Sequence, residues 1–103
     1  MKLKSIEKSD LKGKKWKAIF DNNGRDKTIH FGATGYDDYT ISTDNLKDRQ
    51  LMRERYRKRH SKDLLTDAGK TGVSAGALSY WILWGDSTSM TKNITDYKRQ
   101  FNL

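Results

Sequence analysis

Trp16-Lys17-Ala18-Ile19-Phe20, then Asp21-Asn22-Asn23-Gly24, then Lys27-Thr28-Ile29-His30-Phe31 is the stretch that decides the fold. Trp16, Ala18 and Phe20 alternate with Lys15, Lys17 and Ile19, the two-residue period of a strand with one buried face. Asn and Gly tolerate positive φ, so residues 21–24 read as a tight turn. The chain then returns as a partner strand with Ile29 and Phe31 on one face. Upstream, Leu3, Ser5 and Glu7 alternate with Lys2, Lys4, Ile6 and Lys8, a weaker strand pattern. The expectation is a short antiparallel meander of two or three strands, with Lys15 and Lys17 on its solvent face.

Downstream the period changes. Two glycines make Gly32-Ala33-Thr34-Gly35-Tyr36-Asp37-Asp38-Tyr39 a loop. Thr43 or Asp44 is expected to cap a helix that runs to about Ser61. Steps of 100° around Tyr56 bring Met52, His60 and Arg49 to the inner face. Arg53 and Arg59 fall on its flanks, and Lys47, Arg55, Arg57, Lys58 and Lys62 point away. Val73 to Trp84 is the most apolar stretch and reads as a buried central helix stopped by Gly85. Ser87 or Thr88 then caps a last helix on which Met90, Ile94, Tyr97 and Phe101 form one stripe. The fold class expected is α+β: a small antiparallel sheet of two to three strands packed against about three helices. Residues 1–103 read as one domain, β-rich over 1–32 and helical over 44–102.

Leu, Ile, Val and Phe total 19 of 103 residues, a composition on the disordered side for a chain of net charge +8. Three Trp and five Tyr argue for a folded domain with a modest core. No cysteine is present, which excludes disulfides and Cys-type metal, haem or iron–sulfur sites. No apolar run approaches the roughly 20 residues that span a bilayer. Met1 to Lys8 has no apolar signal region, so an intracellular protein is expected.

The charge is uneven. Residues 1–20 carry net +5, residues 21–46 net −3, residues 47–62 net +6, and residues 63–103 none. Clustered positive charge points to a polyanion partner. The contacts expected on the basic helix are Arg55, Arg57, Lys58, Lys62 and Lys47, with Lys14, Lys15 and Lys17 as a second patch. The plainer reading is a solvated helix face, or pairing with Asp37 and Asp38. Few Asn or Gln accompany these cations, so phosphate contact without sequence readout is the expectation.

Other candidates are weaker. Tyr36 and Tyr39 are of the type that stacks on bases, or they plug the core edge. Asp37 and Asp38 lack a third acidic ligand nearby. His30 and His60 have no metal-ligand spacing and read as polar groups at the core edge. Gly69-Lys70-Thr71 ends like a phosphate-binding loop, but Leu64 stands where its first glycine belongs. No nucleophile elbow is present. No catalytic residue, metal or cofactor is expected from these residues.

His30-Phe31-Gly32-Ala33-Thr34-Gly35-Tyr36-Asp37-Asp38-Tyr39-Thr40 resembles the signature of a family of small basic proteins encoded by large and giant DNA viruses of algae and amoebae. Arg55-Tyr56 with Arg59-His60 is similar too, as are Ala75-Gly76-Ala77-Leu78-Ser79 with Ile82-Leu83-Trp84, and Asp96-Tyr97-Lys98-Arg99 with Phe101. The resemblance spans residues 14 to 101, and the chain departs from it around Thr66–Ser74. It implies a viral setting, an infected host cell or the virion interior, and no catalytic residues. The function expected is non-specific nucleic-acid binding, double-stranded DNA foremost. Condensing a genome needs a second contact surface, from the second patch or a homodimer. No membrane partner and no small-molecule substrate is expected. The rival readings are a virion or viral-factory component that binds an acidic protein, and a metal-dependent nuclease using Asp37 and Asp38.

Overall fold

The computed structural model describes residues 1–103. Three strands, β1 (Lys2–Lys8), β2 (Lys14–Asn22) and β3 (Arg25–Ala33), form an antiparallel sheet in that order. Asn22 pairs with Arg25, which leaves Asn23 and Gly24 as a two-residue turn with φ of 55° and 87°. Both central residues at positive φ make the turn type whose twist matches the strands. The Gly24 amide donates to Asp21 Oδ1 at 2.8 Å and closes it. The decisive hairpin is therefore as the sequence pattern predicts.

β1 departs from simple alternation. Leu3 pairs with Phe20 and Ile6 with Ala18, with a register shift between Leu3 and Ser5. That bulge brings Leu3 and Ile6 to one face although their spacing is odd, and both pack into the core with Ala18, Phe20 and Phe31.

α1 (Leu46–His60) contains no fully buried residue, as its thin apolar stripe implies. Its cap is Asn45, one or two residues beyond the expected Thr43 or Asp44. Asn45 Oδ1 accepts from the Asp48 amide at 3.0 Å, and Asn45 Nδ2 donates to Asp48 Oδ2 at 3.0 Å. This reciprocal pair is available only from position 45. A 3₁₀ turn (Ser61–Leu64) and one short helix, α2 (Asp67–Lys70), follow.

The apolar stretch is not one regular helix from Val73. Ser74 caps α3 (Ala75–Leu78) by accepting from the Ala77 amide, and the chain then widens into a π-helical turn, Ser79–Leu83. This geometry buries Tyr80, Ile82 and Leu83 together. Gly85 ends the segment through close packing, because a Cβ there meets the Trp81 carbonyl and the Asn93 side chain.

Ser89, not Ser87 or Thr88, caps α4 (Met90–Phe101). Its stripe of Met90, Ile94, Tyr97 and Phe101 lies against the core as expected. Asn93 is also buried on this face, 1% exposed. Its Nδ2 donates to the Ile82 and Ser87 carbonyls at 2.9 and 2.7 Å, and its Oδ1 accepts from the Ser87 amide at 3.0 Å.

The Tyr97 hydroxyl donates to the Gly72 carbonyl at 2.7 Å, and Gly72, at φ 82°, leaves no room for a Cβ beside the Phe101 ring. Burial raises the Tyr97 phenol well above the ordinary tyrosine range. In the unfolded chain tyrosine ionises near pH 10 while folded Tyr97 keeps its proton, so folding stability falls as pH rises above about 10. Tyr97→Phe is expected to reduce that alkaline loss. Urea melts of both proteins at about pH 8 and about pH 11 measure it, and equal losses count against the burial argument.

Candidate nucleic-acid interface

Eight bases lie between Lys47 and Lys62, and the fold divides them into two sets. Arg49, Arg53 and Arg57 recur at steps of four and face inward. Arg49 Nη2 donates to the Tyr39 carbonyl at 2.7 Å, Arg53 Nε to the Gly85 carbonyl at 2.6 Å, and Arg57 Nη1 to the Trp84 carbonyl at 3.2 Å. Two of these acceptors stand at the C-terminal end of the π-helical turn, where carbonyls lack intrahelical partners. Arg53 also pairs with Asp86 at 2.6 Å, and the Arg57 guanidinium lies 4.3 Å from the Tyr80 ring centre. These arginines fasten a helix too polar to dock by apolar contact alone.

Arg57 therefore does not point away from the core, as helical steps predict. Its side chain is 19% exposed. A long side chain leaving the helix flank bends back over Tyr80 and Trp81, which a projection of Cα directions does not capture. Arg57→Ala is expected to cost about 1–2 kcal/mol of stability. Arg55→Ala is expected to stay within about 0.5 kcal/mol. Paired urea melts separate the two, and equal costs contradict this division.

The other five, Lys47, Arg55, Lys58, Arg59 and Lys62, are exposed. None has a carboxylate within ion-pair distance. Arg55, Lys58 and Arg59 stand three and four residues apart on α1 and share one face, and Lys62 follows in the 3₁₀ turn. The acids on the helix are Asp48, which accepts from Asn45, and Glu54, exposed one turn before Lys58. Arg59 stands on the flank of the buried stripe, as helical steps predict, and is exposed beside this face.

The second patch is largely taken up within the fold. Lys15 is only 14% exposed, and its Nζ donates to Asp38 Oδ2 at 2.7 Å, a carboxylate that is itself 2% exposed. Asp38 also accepts from the Thr40 amide and hydroxyl. Lys17 is mostly covered and stands 3.6 Å from Asp10. Lys14 alone of the three is exposed and unpaired. Lys15 and Lys17 are thus not presented to solvent. The loop after Gly32 folds Asp38 back toward the sheet, and no strand-period argument registers that return.

The same loop separates its two tyrosines. Tyr39 is buried under Arg49 and Arg53, with their guanidinium carbons 5.7 and 5.8 Å from its ring centre. Tyr36 is 73% exposed. Between this loop and α1 lies a cleft of about 510 Å3 that the sequence did not reveal. Its walls include Tyr36, Asp37, Met52, Tyr56, Arg59 and Leu83. Trp84, Tyr56 and His60 stack in succession beside it, with ring centres 4.4 and 4.2 Å apart. His60 Nδ1 and Asp63 Oδ2 are 3.0 Å apart, which fixes the end of the stack. Burial, and then the Asp63 charge, raise the Tyr56 phenol above its ordinary range, so it stays neutral. His30 sits against Ser9 Oγ at 2.7 Å, so both histidines are polar groups at the core edge. No cluster of three or more His, Asp or Glu is arranged to hold a metal ion, and no helix is long and apolar enough to cross a membrane.

Among known protein families, the model of a family of unknown function, DUF5754, matches residues 4–60, just over half the chain. The matched stretch holds the whole sheet apart from its first residues, the Gly32–Tyr39 loop and α1. No curated protein and no solved structure matches the chain.

Proposed function

We propose a role in nucleic-acid binding for this chain, which belongs to DUF5754, a family of unknown function. One observation carries the reading. The cations of α1 and of the 3₁₀ turn after it divide into three that hold the fold together and a set that is exposed and has no ion-pair partner within the protein. A charge face kept only for solubility gains from interspersed acids, and this one has few.

Spacing supports the same partner. Arg55 to Lys62 covers about 10 Å of helical rise. Duplex DNA carries one charge per about 1.7 Å of axis, roughly six over that length. Four cations on flexible stems fit that density, and Lys47 lengthens the contact by two turns. Binding proceeds by phosphate neutralisation with release of counterions, without base readout. Double-stranded DNA is the proposed partner, and the viral setting and packaging beside a genome rest on the resemblance of the sequence. The carboxylate of Asp38 is engaged by Lys15 and Thr40, which favours binding over metal-dependent cleavage.

The test is an anisotropy titration of labelled duplex DNA and single-stranded RNA, with magnesium and a gel check for cleavage. Micromolar or tighter duplex binding with the DNA intact is the expected result. Absence of binding to either nucleic acid at low salt overturns the proposal, and magnesium-dependent cleavage lost in Asp38→Ala replaces it with the nuclease reading.

A further inference from the structure

We propose that the cleft between the Gly32–Tyr39 loop and α1 receives one unpaired nucleotide of the bound nucleic acid. Its base lies against Tyr36 and its phosphate on Arg59. This inference rests on the nucleic-acid reading above and gives it a preference that phosphate contact alone does not supply.

Tyr36 is the most exposed large hydrophobic side chain of the protein, at 73%. It pairs with no aromatic ring and no cation. Gly35, at φ 83° with nothing packed around it, turns the chain immediately before Tyr36. The ring is thus placed at the cleft wall by backbone geometry and not by core packing. The opposite side is already ordered, because Tyr56 is held between Trp84 and His60. A volume of about 510 Å3 falls within the range of about 300–1,000 Å3 usual for small-ligand sites.

Electrostatics decide which end of the nucleotide enters. Lys15 and Asp38 neutralise each other within the cleft, and Asp37 adds a carboxylate beside them. A phosphate is repelled there, whereas a base offers N–H groups that a carboxylate accepts. Arg59 lines the same cleft, is exposed, and continues the face formed by Arg55, Lys58 and Lys62. A strand whose phosphates follow that face passes the opening of the cleft. A paired base cannot enter without leaving its stack, so an unpaired one is favoured by the energy that need not be supplied.

The experiment titrates a perfect duplex and the same duplex carrying one central bulged nucleotide against the full chain, Tyr36→Ala, Tyr36→Phe and the triple variant Arg55→Glu/Lys58→Glu/Lys62→Glu. The native protein is expected to bind the bulged duplex about tenfold more tightly than the perfect one. Tyr36→Ala is expected to lose that preference with perfect-duplex affinity unchanged within about twofold, and Tyr36→Phe to retain it. The triple variant is expected to lose both substrates. Equal affinity for the two duplexes, or a preference that survives Tyr36→Ala, overturns the cleft proposal while phosphate binding stands. Failure of the native protein to bind either duplex overturns both.

Discussion

Replacing Arg55, Lys58 and Lys62 together by Glu is expected to weaken duplex binding by at least about a hundredfold at 0.1 M salt. Circular dichroism is expected to stay as in the native protein, and stability to fall by no more than about 1–2 kcal/mol. All three side chains are exposed and make no ion pair in the fold, so their replacement costs only the favourable charge of Lys58 at the C-terminal turn of α1 and its new repulsion with Glu54. The variant turns three cations into three anions on one helical face, so it adds repulsion to the lost attraction. The set that a helical projection favours, Arg55, Arg57 and Lys58, gives a different and less informative result. A carboxylate at position 57 faces the Trp84 carbonyl and Asp86 and lies over Tyr80, where a cation now sits. That triple variant is expected to melt early and to lose binding by unfolding. Gel filtration and thermal melts of both variants distinguish the two causes. A folded Arg55/Lys58/Lys62 variant with native affinity removes this face from the account.

Among the buried polar residues, a large effect on stability is expected at Asn93. Its amide bridges the end of the π-helical turn, the Ser87 backbone and α4 with three hydrogen bonds from a buried site. Asn93→Ala leaves those backbone groups without partners and is expected to cost about 3 kcal/mol. Asn93→Asp is expected to cost more at neutral pH, because an ionised oxygen then confronts the Ile82 and Ser87 carbonyls. That carboxyl has a raised pKa in the folded state, so its stability contribution is lost as pH rises through the carboxylate range and recovers in acid. Urea unfolding of the two variants beside the native protein at about pH 7 and about pH 4 measures the difference. A neutral Asn93→Ala, within about 0.5 kcal/mol, contradicts the bridging role.

The sheet and the last helix were legible because short-range chemistry determines them. Asn23-Gly24 dictates its turn, alternation marks β2, and Met90, Ile94, Tyr97 and Phe101 repeat at helical steps. The thin stripe around Tyr56 likewise marks α1 as a surface helix. What was missed depends on contacts between distant residues. The bulge that reconciles Leu3 with Ile6 shows only in the pairing with β2. The return of Asp38 onto Lys15 depends on the path of a glycine-bearing loop. The inward turn of Arg57 depends on carbonyls offered 27 residues later. Asn93 reads as an ordinary polar helix residue until the 82–87 segment is brought beside it. The one sequence signal that anticipates the division of the arginines is their exact spacing of four, Arg49, Arg53 and Arg57, which places them on a common face.

For the proposed interface, the sequence singles out the most basic helix but not which of its cations are free. Lys47, Arg55, Lys58 and Lys62 are placed outward as expected, Arg59 joins them, and the cleft beside them comes from the loop's path over α1. Charge counts alone overstate the number of free cations, because Arg49, Arg53, Arg57 and Lys15 are already occupied inside the protein.

The salt dependence of duplex affinity tests the phosphate-neutralising face most directly. With four to five cations engaged, log K is expected to fall against log salt with a slope of about −4, a loss of about two orders of magnitude between 50 and 200 mM. The Arg55/Lys58/Lys62 variant is expected to retain a slope no steeper than about −2 where its residual binding is measurable. A flat dependence for the native protein, or an equal slope in a folded variant, contradicts the account.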